Sequence, residues 1–189
     1  MTIFLACLLA VVPSLPPAAR HAGATASLAQ AAADSSALVR RFVQESYDWY
    51  VPLAHRTDAF PAYVHLLGRR PPLLTHRLAT ALRADSVARR DAAAKRALLD
   101  FDPFLNAQDP CDAYQAGAVR RARGAFLVTV RARCADPRWQ QDPITVTVTV
   151  EEKALRIANV AGPRVDVLRL LCVSAAGGTL EAGILPRCR

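Results

Sequence analysis

The sequence predicts an α+β protein in which N-terminal helices pack on a curved antiparallel sheet. Up to about residue 99, apolar side chains recur at the three- and four-residue spacing of amphipathic helices. The second half changes to an alternation of apolar and polar residues, which is typical of half-buried strands. The 189 residues are 52% hydrophobic, which is enough apolar material for one packed core.

The first segment has the organisation of a signal peptide. Residues 3–12 form an apolar run of the length of an h-region, too short to span a membrane. Small residues then suit cleavage before Ser27, although no Lys or Arg precedes the apolar run. A buried N-terminal helix is the alternative. The preferred interpretation places the protein in the periplasm or outside the cell, and divides it into a signal peptide (1–26), a linker (27–35) and a single α+β domain (36–189).

Cys7 supports a second interpretation of the leader. The sequence from Phe4 to Cys7 resembles a bacterial lipobox, whose Cys becomes lipidated, and the Pro/Ala-rich residues 11–33 would then be a tether. Only three residues precede this motif, so the interpretation requires a start codon further upstream. It predicts a membrane-anchored lipoprotein, and we expect membrane contact only in that case.

The cysteines predict two disulfides. Removal of residues 1–26 leaves four of the five cysteines, an even number that favours disulfides in an exported chain. Among the three possible connectivities we prefer Cys111–Cys134 and Cys172–Cys188, because each pair brackets a short segment. The sequence has no Cys-x-x-Cys, and the three histidines after the leader are scattered. We therefore predict no metal site and no cofactor.

The first helix is predicted to begin near Ser35. Asp34, Ser35 and Ser36 are all candidate N-caps. Residues 37–51 carry apolar side chains on one helical face, with an aromatic C-terminal end. We expect Pro52 to end this helix.

A second helix is predicted to begin at Thr75, which is a good N-cap. Residues 53–72, between the two helices, are predicted to be irregular. The Ala- and Arg-rich stretch 86–99 either continues the second helix or follows a break near Asp85.

Two long alternating runs, at residues 126–134 and 144–150, predict antiparallel strands with one apolar face and one wet face. The link Glu151-Glu152-Lys153 predicts a hairpin that leads into residues 155–157. The remaining candidates are a strand at residues 114–119 and a helix or strand at residues 165–172.

The segment from Asp100 to Pro110 interleaves carboxylates and amides with apolar residues. Its Asp-Pro-Phe…Ala-Gln-Asp signature resembles the bacterial domain-of-unknown-function 3828 family. Residues 42–50 and 74–78 are similar to helix motifs of that family, and the resemblance covers about residues 36–172. It implies an exported or lipid-anchored envelope protein with a cone-shaped fold, similar to nuclear transport factor 2-like domains, and no established catalytic residues. Some related proteins resemble immunity proteins or accessory proteins of envelope complexes.

Candidate binding residues come from three parts of the chain, each with a packing alternative. The aromatic residues could line a ligand pocket or be simple core, and the carboxylates could act on a ligand or cap turns. The arginines project from the wet strand face, as a contact surface or as solvated side chains. The candidates are Tyr47, Tyr50, Asp102, Gln108, Asp109, Arg131 and Arg133.

The leading functional prediction is a non-enzymatic, exported envelope protein that binds a protein partner or a small ligand. The chain has 24 Lys and Arg against 16 Asp and Glu, but the arginines are spread along it, so we do not expect nucleic-acid binding. The alternative is a small isomerase- or hydrolase-like enzyme that uses an Asp in the cone. A catalytic Asp would be buried without a backbone partner and face an open cavity, whereas a binding module would tie its Asp side chains to turns.

Overall fold

The computed structural model describes residues 18–56, 61–69, 72–90 and 99–177. The chain divides into two compact units, residues 1–34 and residues 35–189, and the described part of the first unit is helical. The predicted α+β class is confirmed, because four α-helices accompany one four-stranded antiparallel sheet in the described residues. The elements are α1 (Ala18–Ala54), α2 (Tyr63–Gly68), α3 (His76–Arg90), β1 (Ala113–Ala122), β2 (Ala125–Arg133), β3 (Ile144–Glu151), β4 (Ala154–Ala161) and α4 (Val167–Gly177).

Helix α1 is longer than predicted at both ends. The predicted N-caps Asp34, Ser35 and Ser36 are interior helical residues, because the preceding Ala-rich sequence is itself a good helix former. Pro52 lies in the last turn, where it removes one hydrogen bond near a helix end, and the helix continues to Ala54. The predicted linker, residues 27–35, lies inside α1. Residues 1–17 lie outside the described residues, so the processed or lipidated leader stays a prediction.

The predicted start of the second helix is confirmed. Thr75 is the N-cap of α3, since its Oγ1 accepts a hydrogen bond from the Leu78 amide at 3.3 Å. The helix passes through Asp85 without a break and ends at Arg90. The prediction that residues 53–72 are irregular is wrong in part, because they contain the six-residue helix α2. Residues 165–172, left open between helix and strand, belong largely to helix α4.

The strands follow one another in the order β1-β2-β3-β4, and every neighbouring pair is antiparallel. Two-residue turns with positive φ at both positions join β1 to β2 and β3 to β4, as type I′ turns require. The first turn is Arg123-Gly124, with φ of 49° and 79°. The second is Glu152-Lys153, with φ of 52° and 63°, so the predicted hairpin is confirmed.

One face of the sheet meets the helices and forms the core. On β3, Ile144, Val146 and Val148 are buried as predicted, but Val150 at the end of the run is 64% exposed. On β4, Ile157 and Val160 are both buried although they are three residues apart. A register shift opposite Thr147 and Val148 inserts one extra residue into β4, and this bulge returns the side chain of Val160 to the core face.

Both edges of the sheet are partly covered. The Gln44 side chain on α1 donates to the Tyr114 carbonyl at 3.0 Å and accepts from the Ala116 amide at 2.8 Å, so it occupies the open edge of β1. At the other edge, residues 73–75 pair with Ile157 of β4 through two backbone hydrogen bonds. These contacts satisfy backbone groups that an edge strand would otherwise expose. Within the described ranges, no helix is long and apolar enough to cross a membrane.

Candidate functional site

The Asp102 carboxylate accepts hydrogen bonds from three donors at the start of a tight loop. Its Oδ1 accepts hydrogen bonds from the amides of Phe104 and Leu105, at 2.8 and 3.0 Å. Its Oδ2 accepts a hydrogen bond from the Tyr50 hydroxyl at 2.5 Å. Backbone hydrogen bonds between Asp102 and residues 106 and 107 close the loop, with Asn106 in the left-handed region at φ 53°. Asp102 therefore caps a turn, as its packing alternative predicted.

The electrostatics of this group follow from its burial. Burial of the carboxyl raises the pKa of Asp102, and the hydrogen bonds from Tyr50, Leu105 and Phe104 oppose that rise. The pKa of Tyr50 is raised well above its usual value, first by burial and then by the Asp102 charge. Tyr47, whose hydroxyl donates to the Phe104 carbonyl at 2.8 Å, has its pKa raised well above the usual value for the same two reasons. Both tyrosines thus stay neutral donors at physiological pH.

A second buried carboxylate, Asp85 on α3, was predicted only as a possible helix break. It is 1% exposed and accepts hydrogen bonds from the Tyr63 hydroxyl at 2.6 Å and from Arg89 Nε at 3.0 Å. Its other oxygen accepts from the Leu99 amide at 3.3 Å. An Asp with an Arg four residues later was the available sequence signal, but only the packing of α2 shows that the pair is buried. This cluster ties α2, α3 and residue 99 together.

A cleft of about 480 Å³ lies where β1 begins and β2 ends, and we call it the disulfide cleft. Cys111 and Cys134 form a disulfide in its wall, as predicted, with their Cα atoms 4.5 Å apart. The predicted site residues Gln108 and Asp109 line it. Trp139 and Gln141 also line it and were not among the predicted site residues. A Trp within the polar residues 135–142 was the one signal that could have marked them.

Some polar side chains of the disulfide cleft form hydrogen bonds or ion pairs with other described residues, and others do not. Asp112 accepts from the Ala135 amide at 2.6 Å, and Asp136 is paired with Arg138. Gln141 donates to the Asp109 carbonyl at 2.9 Å, which fixes the backbone there. Among the described residues, nothing bonds to the Asp109 carboxylate.

The exposed groups of the same cleft are the ones that a ligand would contact. The Gln108 side chain is exposed and makes no hydrogen bond to any residue that the structure describes. Trp139 is 67% exposed. The cleft thus presents a free carboxylate, a free amide and an open aromatic surface.

The remaining predicted site residues lie outside the disulfide cleft. Tyr47, Tyr50 and Asp102 form one buried group and line neither described cleft. Arg131 and Arg133 are exposed on the outer face of β2, and Arg133 donates to Gln115 of β1 at 2.9 Å through Nε. Since Arg133 directly precedes Cys134, this pair lies beside the cleft.

Cys172 is also disulfide-bonded. It is not bonded to Cys111 or Cys134, because those two are joined to each other. Cys188, its predicted partner, lies outside the described residues, so that pairing stays a prediction. In the part of the chain that the structure describes, no three His, Cys, Asp or Glu side chains are grouped as metal ligands.

The resemblance to the domain-of-unknown-function 3828 family rests on the motifs of residues 42–50, 74–78 and 100–110, and it stays a prediction. Comparison with family models, with curated proteins and with solved structures finds no match to this chain.

Proposed function

We propose that this chain is a non-enzymatic, exported envelope protein whose disulfide cleft binds a segment of a partner protein. The observation that carries the proposal is the open Trp139 ring beside the unengaged groups of Gln108 and Asp109. Exposed aromatic side chains that a partner can desolvate supply much of the energy of protein interfaces. The partner segment would place an apolar or aliphatic side chain on the ring and donate hydrogen bonds to Asp109 and Gln108.

The state of Asp102 supports binding over the enzymatic alternative. Both of its oxygens accept hydrogen bonds, two from backbone amides, and it lines neither of the two described clefts. A general acid or base must reach a substrate proton within hydrogen-bond distance, directly or through one water. Asp102 instead has the hydrogen bonds expected of an Asp whose side chain caps a turn.

The walls of the disulfide cleft are held before any partner arrives. The Cys111–Cys134 bond fixes the two strand ends, and Gln141 joins Tyr114 to the Asp109 backbone through hydrogen bonds of 2.9 Å each. A site that is already ordered loses less conformational entropy on binding. Arg131 and Arg133, on the adjoining sheet face, are placed to meet acidic groups of the same partner.

The disulfide also supports export, because such bonds persist in oxidising compartments and are rare in the cytosol. Mass spectrometry of the intact protein without reductant would give the mature N-terminus and the thiol count together. We expect a chain that begins near Ser27 or at a lipidated Cys7. A product with its first Met and free thiols would contradict export.

Site-specific photo-crosslinking in intact cells tests the cleft. A photoreactive residue at Gln108 should capture one discrete envelope protein, and Trp139→Ala or Asp109→Asn should weaken the capture at least several-fold. The matched control places the same residue at Val87, which is 65% exposed on α3 and far from the cleft in sequence. Equal capture from both positions, or capture that ignores both variants, would refute the proposal.

A further inference from the structure

A second cleft lies at the opposite end of the β1–β2 hairpin, about 30 Å along the strands from the disulfide cleft. We call it the hairpin cleft. We propose that it binds a single-chain anionic amphiphile, an alkyl chain that ends in a carboxylate. This site is separate from the one proposed above, and its failure would leave that proposal standing.

The floor of the hairpin cleft is apolar and open to solvent. Leu38 of α1 is 50% exposed and Val150 of β3 is 64% exposed, although both belong to otherwise apolar faces. Phe126 and Leu155 line the same cleft and are half-buried. Large apolar side chains grouped at an opening are typical of a ligand or interaction site, whereas scattered ones are ordinary surface. This floor suits an alkyl chain.

The rim of the hairpin cleft is positively charged. The Arg121 guanidinium lies over the Phe126 ring, 4.7 Å from its centroid, and Arg123 occupies the adjacent turn. Both arginines are exposed, and no ion pair within the described residues involves either of them. A ring face beneath a guanidinium holds that cation without neutralising it, so Arg121 remains able to pair with an anion.

Among the residues that the structure describes, no carboxylate offsets this charge inside the hairpin cleft. Neither Asp nor Glu is among the described residues that line it. Glu151 is the neighbour of Val150, but it accepts a hydrogen bond from the His76 amide at 2.9 Å and so serves the start of α3. An anionic head group therefore complements the rim, and a cationic one would be repelled by it.

The size of the hairpin cleft also suits such a ligand. Its volume is about 590 Å³, within the roughly 300–1,000 Å³ of small-molecule sites. Arg121 lies near the end of β1 and Arg123 lies in the turn, while the large apolar lining residues come from α1, β2, β3 and β4. A single chain can thus lie along the floor with its carboxylate at Arg121.

Isothermal titration of the full-length protein with dodecanoate, below its micelle concentration, tests the proposal. We expect saturable one-to-one binding, and no binding of dodecyltrimethylammonium, which has the same tail and the opposite charge. Arg121→Gln should weaken dodecanoate binding about tenfold, as loss of one charge-assisted hydrogen bond predicts. The matched control Arg83→Gln, an exposed Arg of α3, should leave it unchanged.

A second pair of variants tests the apolar floor. Val150→Asp should abolish binding of dodecanoate, while Val87→Asp, at an equally exposed Val of α3, should not. Because Val150 is exposed, its variant should keep the wild-type unfolding midpoint, which separates loss of the site from loss of the fold.

Three results would overturn the proposal. The first is the absence of saturable dodecanoate binding. The second is binding to phosphatidylglycerol vesicles with none to monomeric dodecanoate, which would make the cleft a membrane contact. The third is self-association, seen by analytical ultracentrifugation, that Val150→Asp abolishes while dodecanoate does not compete, which would make the cleft an interface between two copies.

Discussion

Among single residues, Asp102 joins two segments of the chain that are distant in sequence. It is half-buried as a residue, but its carboxyl faces inward and receives hydrogen bonds from Tyr50, Phe104 and Leu105. It thereby joins α1 to a loop 52 residues away in sequence. Removal of one partner in such a group leaves the others buried and unsatisfied, which costs more than the net worth of each bond.

Replacement of Asp102 by Ala should lower the free energy of unfolding by about 2–4 kcal/mol, because two amides and one hydroxyl lose their acceptor. Asp100→Ala is the matched control, since Asp100 is exposed two residues away, and it should change the stability by less than about 0.5 kcal/mol. Urea unfolding followed by circular dichroism measures both. Equal effects would show that the Asp102 contacts do not stabilise the fold.

The raised pKa of Asp102 also predicts a pH dependence. The folded protein holds the Asp102 proton more tightly than the unfolded chain does, so ionisation of this group opposes folding. Its contribution to stability should be fullest below the usual pKa of 3.8, fall as pH rises through the raised value, and then stay constant. Subtraction of the Asp102→Asn stability curve from the wild-type curve isolates this contribution. A difference that rises with pH would contradict the assigned direction.

Among the elements, the two β-turns show how local sequence sets the ends of the sheet. Arg123-Gly124 has Gly at its second position, where φ is 79°, but Glu152-Lys153 has side chains at both left-handed positions. A residue with a Cβ pays a steric penalty in that region, whereas Gly does not. The second turn therefore forms at a local cost that the pairing of β3 and β4 offsets.

Lys153→Gly should stabilise the protein by about 0.5–1 kcal/mol, because it relieves the left-handed backbone at φ 63°. Gly124→Ala should have the opposite sign and a similar size, since φ is 79° there and nothing lies within 4 Å of an added Cβ. Thermal unfolding of the two variants measures both changes. Stabilisation by Gly124→Ala would mean that backbone conformation does not decide the stability at these turns.

The strands could be predicted because each one shows a two-residue alternation of apolar and polar side chains in its own sequence, whatever strand it pairs with. The start of α1 could not, since Asp34, Ser35 and Ser36 are caps when a helix begins there and are tolerated inside one when it does not. Helix α2 has only six residues, too few to show a period.

The candidate site was harder to predict from the sequence than the fold was. Gln108 and Asp109 were found from their composition, but Trp139 joins them only because a disulfide and a short 3₁₀ turn, Pro137–Trp139, bring residue 139 back to residue 109. The hydrogen bond between Tyr50 and Asp102 likewise depends on tertiary packing. Contacts between residues this far apart in the chain produce no pattern in the local sequence.

At the scale of the whole unit 35–189, a disulfide and two hydrogen-bonded clusters reinforce the core that its described residues form. They are the Cys111–Cys134 bond, the Asp85 cluster and the Asp102 loop. Each one joins segments that are distant in sequence, so each restricts the unfolded chain or satisfies groups that folding buries.

Replacement of both Cys111 and Cys134 by Ser should lower the free energy of unfolding by about 3 kcal/mol, the expected entropic effect of a closed loop of this length. The strands should remain paired, because β1 and β2 pair on both sides of the bulge between Ala116 and Val119. Chemical unfolding of the variant beside the oxidised wild-type protein measures the loss. Unchanged stability would show that the ends of the hairpin are held equally well without the bond.

The same bond has a mechanical consequence. Residues 111–134 contain both strands of the hairpin and its turn, and the disulfide closes them into a covalent ring. A force that pulls on the two ends of the oxidised chain passes through the sulfur atoms and bypasses everything inside the ring. With this bond intact, the fully extended polypeptide should thus be roughly 75 Å shorter than that of a variant with Ser at both positions, a difference that optical tweezers would resolve.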